Sequence, residues 1–392
     1  MADTQNMIIV SLERVRKQLK LQLACGDYSP FIIIGKSGIG KTESIASLAE
    51  ELGIGFTEIR LSHYEESDLI GMPYRDENNK TKHAVTDLLP DTNDQGQGIL
   101  MLDEITSSNR NMRSAVYQLT DSRRSLGQYK LPPKWIVVCC GNGPEDGGDF
   151  RGMEPALLSR GRCVRVEEDL GAWKAWAIKN GVHPVVVAFL SFMPDKLHVI
   201  DIDKPFDLIA CPRNWVKLSL QLYNMENDLG NDLDDDDLYF AASCCVGESC
   251  GPSFAAFYKY NKSVISVEDI VNNRAKPSDV KNLDEEVMYI LVQQLVSYVK
   301  KMMDKAPKDR TGKIDEGAVA DPLAKIFNWI IEAGEKFRVD LAVMAIQDLV
   351  QNIDGLTEIV LMGTEFEKKC PEFLTFASKN AIITNSNVSK LL

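Results

Sequence analysis

The chain has 392 residues with 44% hydrophobic and 26% charged side chains, proportions ordinary for a globular protein of two or three structural units. A net charge of −13 argues against a general electrostatic affinity for nucleic acid or for anionic membrane. No apolar run approaches the roughly 18 residues needed to cross a bilayer, and the N-terminus lacks a signal-peptide pattern. The expectation is therefore a cytoplasmic protein, with its nine cysteines reduced rather than paired.

In chain order, residues 7–24 read as one amphipathic helix, with Leu12, Val15, Leu19 and Leu23 spaced three or four apart. Strand and helix then alternate. Apolar runs at 31–34, 56–61, 99–102, 135–140 and 163–166 predict five strands, with helices at 42–52, 109–119 and 154–158 among them. That alternation predicts an α/β domain, a five-stranded parallel sheet with helices on both faces, over residues 1–169. Two insertions interrupt it. Residues 71–90 carry a polar turn between short extended arms, and residues 122–134 read as a hairpin bounded by Pro132-Pro133. From residue 170 the pattern turns helical (171–180, 184–192, 214–225, 238–246), which suggests a helical domain over 170–263. A helical extension, 264–392, has candidates at 285–303, 323–337 and 341–353, with a polar linker at 305–312. The acidic run 232–237 lacks the glycine and spaced glutamate of a calcium loop and reads as a solvated loop. Cys244, Cys245 and Cys250 have no second cysteine pair and no histidine nearby, so a metal site there is disfavoured.

The chemistry concentrates at the ends of the predicted strands. Gly35-Lys36-Ser37-Gly38-Ile39-Gly40-Lys41-Thr42 has the form G-x-x-x-x-G-K-T, directly after the run 31–34 and before a helix. This is the setting of a phosphate-binding loop, whose backbone N–H groups wrap phosphate at the positive end of the next helix. Lys41 adds a mobile charge on the phosphates of a nucleotide, and the Thr42 hydroxyl suits a Mg²⁺ ion. The run 99–102 ends in Asp103-Glu104, about sixty residues later. Asp103 is placed to hold Mg²⁺ and Glu104 to act as general base on the attacking water. Asn142, after the run 135–140, either orients that water or serves its own glycine-rich turn.

Phosphate loop, Asp-Glu strand, the segment 142–148 (Asn-Gly-Pro-Glu-Asp-Gly-Gly) and Pro155-Ala156-Leu157-Leu158-Ser159-Arg160 together resemble the MoxR and dynein-related branch of the AAA+ ATPases. The likeness covers roughly residues 25–220. It implies a P-loop AAA+ sheet, a helical lid, and ATP hydrolysed between the subunits of a ring, six being the family expectation. It implies that Asn142 is the sensor 1 residue, and that Arg160 reaches a neighbouring subunit's nucleotide, with Arg162 as the fallback. Cys211-Pro212-Arg213-Asn214-Trp215 is similar to the family's Pro-Arg-Ser-Trp segment, which implies that Arg213 is sensor 2. The two insertions match the family's helix-2 insert and pre-sensor 1 hairpin. The resemblance further implies a remodelled protein partner, with a von Willebrand A-domain protein as a common associate.

The other reading is a nucleic-acid-directed motor, similar to restriction translocases or helicase loaders. Its support is the basic stretch Arg110, Arg113, Arg123, Arg124, Lys130 and Lys134. The net charge weighs against it, and a small-molecule kinase would not need the Asp-Glu pair together with a helical lid.

Overall fold

A computed structural model describes residues 7–144, 153, 155–200, 208–228, 234–308 and 313–380. The chain divides into two compact units, one of residues 1–169, 200–205 and 211–213, the other of 170–199, 206–210 and 214–392.

The first unit runs β1 (Ile8–Val10), α1 (Leu12–Cys25), β2 (Phe31–Gly35), α2 (Lys41–Leu52), β3 (Gly55–Arg60), α3 (Glu66–Ile70), β4 (Pro73–Arg75), β5 (Thr81–His83), β6 (Gly98–Asp103), α4 (Arg110–Thr120), β7 (Ser125–Leu126), β8 (Tyr129–Lys130), β9 (Trp135–Gly141), α5 (Pro155–Leu158) and β10 (Arg162–Val166). Its main sheet has the order β1-β10-β2-β9-β6-β3, all neighbours parallel. Alternation along the strands splits the core in two. Ile32, Ile34, Leu100, Leu102, Val137 and Cys139 face Met112, Val116 and Leu119 of α4. Their alternating neighbours Ile33, Ile99, Met101, Val138 and Cys140 face Val15 and Leu19 of α1 and Ile45 and Leu48 of α2. A strand apolar on both faces is what a sheet covered on both sides requires. Burial pushes the Cys139 thiol up to about 12, as expected of an inert core cysteine.

The sheet has six strands where five were predicted. The helix expected over 7–24 is β1 followed by α1. Ile8, Ile9 and Val10 are β-branched and pair with Val164, Arg165 and Val166. Ser11 then caps the helix by accepting from the Arg14 N–H at 3.3 Å. Both insertions are hairpins, β4–β5 and β7–β8, at the places where extended arms and a hairpin were expected.

The second unit is helical: α6 (Leu170–Lys179), α7 (Pro184–Phe192), α8 (Pro212–Asp228, its first two residues counting with the first unit), α9 (Asp235–Val246), α10 (Gly251–Tyr258), α11 (Val267–Val271), α12 (Glu285–Lys305), α13 (Glu316–Lys336), α14 (Val339–Asn352), α15 (Leu356–Met362), α16 (Thr364–Lys369) and α17 (Phe373–Lys379). One hydrophobic cluster runs through it, from Trp173 and Phe189 through Trp215 and Phe254 to Phe327 and Phe376. The boundary expected at 263/264 therefore falls inside a continuous core. A largely buried ion pair, its side chains 15% and 13% exposed, crosses that boundary: Lys174 Nζ lies 2.5 Å from Asp348 Oδ2, which also accepts from Gln293 Nε2 at 2.6 Å.

Part of the acidic run is helix rather than loop. Asp234 caps α9 by accepting from the Asp237 N–H at 2.7 Å, and Asp235, Asp236 and Asp237 form its first turn. Carboxylates at a helix N-terminus complement its positive end. Residues 229–233 lie outside the described residues. Helix α13 begins seven residues earlier than the sequence predicts and carries Pro322 inside it, which removes one N–H from the helix.

Candidate functional site

The phosphate loop joins β2 to α2 at the carboxyl end of the sheet. Gly40 holds φ +88° and, having no side chain, caps α2 without a side-chain hydrogen bond. A left-handed residue there favours glycine, and the open helix end suits an anion. Lys41 is buried and bent back on the loop, where its Nζ donates to Gly35 O at 2.7 Å, Lys36 O at 2.8 Å and Asn142 Oδ1 at 3.1 Å. An ammonium on neutral oxygens such as these is poised to exchange them for phosphate oxygens, which are stronger acceptors.

Thr42 Oγ1 donates to Asp103 Oδ2 at 2.7 Å, bringing a hydroxyl from α2 against a carboxylate from β6. Paired hard oxygen donors of this kind fit Mg²⁺, so the donor set agrees with the ion the sequence implies. Asp103 Oδ1 accepts from the Glu104 N–H at 2.8 Å.

Glu104 has φ +59°, one of four non-glycine residues in the left-handed region among the described residues. Such a conformation costs a side chain on the order of 1–2 kcal/mol. Four hydrogen bonds hold it: Glu104 N–H on Asp103, the Ser62 hydroxyl donating to Glu104 Oε2, and Glu104 O accepting from Ser107 and Ser108 N–H at 3.1 Å each. Strain kept in place by surrounding hydrogen bonds points to a functional carboxylate. Asn142 is positioned independently, its N–H donating to Thr106 Oγ1 at 3.0 Å.

Lys41, Thr42, Asp103, Glu104 and Asn142 are thus gathered at the ends of β2, β6 and β9, which are adjacent in the sheet. Ser62, just beyond β3, was not found from sequence. Its only signal is that β3 is the other parallel neighbour of β6, and strand order is not written in the motif spacing. Arg213 also comes to the loop. Its backbone N–H donates to Gly38 O at 3.2 Å and its Nη2 lies 3.5 Å from Glu43 Oε1 of α2. Both side chains are more than half exposed, so that pair holds the guanidinium only weakly.

Arg160 is exposed. Its Nη1 donates to Tyr117 O at 2.5 Å and its guanidinium lies 5.5 Å from the Tyr117 ring centroid. Arg162, at the start of β10, is tied to Asp27 Oδ2 at 2.7 Å and Ser29 Oγ at 2.6 Å. The segment 145–152 of the resemblance lies outside the described residues.

The basic stretch does not gather into one surface. Arg113 is buried, and Arg124 is half-buried with its guanidinium on the carbonyls of Pro132, Pro133 and Trp135. Arg110 opens α4 after the carboxyl end of β6, whereas Lys134 precedes the amino end of β9, at the other end of a parallel pair.

The first unit has the P-loop AAA+ fold of an ATP hydrolase. Residues 30–160 match the family model of the AAA domain, dynein-related subfamily, a span that runs from the strand before the phosphate loop to Arg160. Among solved structures, a lysine-to-arginine variant of Thermotoga maritima RuvB is similar at 16% identity and TM-score 0.35, covering 79% of this chain and 81% of its own. A proline-to-glycine variant of the same protein gives 14% and 0.38, covering 79% and 94%. At these scores the likeness is loose, and nothing about partners follows from it. No helix among the described residues is long and apolar enough to cross a membrane.

Proposed function

We propose that this protein is a MoxR-like, ring-forming AAA+ ATPase that hydrolyses ATP between subunits and uses the energy to remodel or mature a protein partner, with six-membered rings the family's habit and a von Willebrand A-domain protein a fitting associate. The observation that supports hydrolysis most directly is the strained Glu104, held by Asp103 and Ser62 beside the Thr42–Asp103 pair. Lys41 binds the phosphates, and residues 35–42 wrap them. Thr42 and Asp103 would hold Mg²⁺, which supplies charge neutralisation on the phosphates when bound. Glu104 takes the proton of the attacking water, oriented by Asn142, while Arg213 senses the phosphates from the start of α8.

Arg160 is the residue offered to the neighbouring subunit. It rests on a carbonyl and a ring, whereas Arg162 is engaged with a carboxylate, so Arg160 is the cheaper of the two to redeploy. The basic stretch, with Arg113 and Arg124 spent inside the fold, lends little to a nucleic-acid motor.

Mixing variants tests the shared site. Arg160→Ala alone and Glu104→Gln alone should each bind ATP and be nearly inactive, an arginine finger being worth about 10³–10⁵ in rate. Mixed subunits that exchange should recover part of the activity at interfaces with both residues intact. Activity that stays full in Arg160→Ala and is lost in Arg162→Ala would move the role to Arg162.

A further inference from the structure

The phosphate loop carries a second lysine that nucleotide binding does not explain. Lys36 Nζ lies 2.5 Å from Glu168 Oε1, and both side chains are about three-quarters buried, at 27% and 25% exposure. Glu168 follows β10, two residues before the second unit begins at Leu170. The contact is reinforced one residue back. Gly35 stands opposite Val166 in the sheet, and a Cβ on Gly35 would come within 2.4 Å of the Val166 carbonyl oxygen. The root of the loop is therefore pressed onto the end of β10 by backbone and pinned there by charge.

The same residue also receives Lys41, through its carbonyl, at 2.8 Å. A phosphate that draws Lys41 away from Lys36 O changes the hydrogen bonding of a residue whose side chain is anchored to the segment leaving the sheet. The loop is gripped again further on, where a Cβ on Gly38 would meet Cys211 Sγ at 2.4 Å and Gly38 O accepts from Arg213 N. Both grips come from chain that borders the second unit in sequence, residues 166–168 and 211–213.

We propose that the Lys36–Glu168 ion pair is a positioning device, which holds the root of the phosphate loop in its binding-competent geometry and ties it to the segment that continues into α6. It acts on ATP through the loop. This rests on the reading of residues 35–42 as the ATP phosphate site.

Positioning and simple electrostatics predict opposite signs for one variant. If Glu168 merely placed a negative charge near the phosphates, Glu168→Gln would tighten ATP binding. If the pair positions the loop, Glu168→Gln and Lys36→Met should both weaken it, by about three- to tenfold, through lost preorganisation. In Glu168→Gln the KM for ATP should rise while kcat at saturation stays within about twofold, the signature of binding lost equally from ground and transition states. The double variant Lys36→Glu with Glu168→Lys should recover most of the affinity, and Lys36→Arg should keep it. The assay is titration with a fluorescent ATP analogue, paired with steady-state phosphate release on the full chain. Tighter or unchanged binding in Glu168→Gln, or a charge swap no better than the single variants, would overturn the inference while leaving the ATP site standing. A wild-type chain that failed to bind the analogue would overturn both.

Discussion

Glu104→Gln separates chemistry from binding and from folding. The substitution is isosteric and keeps the backbone at φ +59°, so the strain of that position is common to both proteins. Glutamine still offers an oxygen to the Ser62 hydroxyl, and the Asp103–Glu104 N–H bond is backbone and survives. What disappears is the proton acceptor. Loss of a general base typically costs about 10²–10⁴ in rate, which corresponds to roughly 3–5 kcal/mol of barrier. ATP affinity should hold, because Lys41, Thr42 and Asp103 keep their partners. The assay is phosphate release at saturating ATP, with affinity from a fluorescent analogue and stability from thermal unfolding. Hydrolysis near the wild-type rate would refute the assignment of Glu104. A fall in rate accompanied by an equal fall in affinity would show that the carboxylate organises the site rather than accepting a proton.

Lys41→Ala removes the ammonium that Gly35 O, Lys36 O and Asn142 share, and should abolish measurable binding of the ATP analogue; unchanged affinity would count against the whole loop. Lys174→Met leaves Asp348 with Gln293 Nε2 as its remaining side-chain donor and should destabilise the helical unit by about 3 kcal/mol, read by urea unfolding, since stranding a buried charge is costly. A loss under about 1 kcal/mol would mean that solvent reaches Asp348 freely. Hydrogen bonds from Ser29, with the Arg162 guanidinium beside it, hold the Asp27 carboxyl down at about 2, from its ordinary 3.8. A depressed carboxylate stabilises the fold above its unfolded value and loses that contribution as pH falls from about 3.8 toward 2. Asp27→Asn should therefore lower Tm at neutral pH, with the difference from wild type shrinking across that window; a difference independent of pH would refute the linkage.

Much of the site could be read from the chain alone because its parts are local. A phosphate loop is eight consecutive residues between a strand and a helix, and Asp103-Glu104 is the end of a buried strand. Their proximity follows once the strands are parallel, since ligands gather at the carboxyl ends. The hairpins were equally legible, each being a turn between two short arms. The periodicity of Leu12, Val15, Leu19 and Leu23 marked α1, but it could not show that Ile8–Val10 break away to form an edge strand. That choice depends on pairing with β10, more than a hundred and fifty residues distant. Nor could the spacing of 170–392 show that lid and extension share one core, which rests on contacts such as Lys174 with Asp348.

What the sequence determined by itself was the candidate chemistry: a set of residues of the types suited to bind phosphate, hold a divalent cation and accept a proton. What only the tertiary structure decided was which further residues govern them. Ser62 on Glu104, Thr106 on Asn142, and Glu168 on Lys36 are joined across 42, 36 and 132 positions of chain. The physical reason is that a motif encodes backbone conformation over a few neighbouring residues. Strand order and register, which bring these partners within hydrogen-bonding reach, are set by the packing of the whole sheet between its two layers of helices.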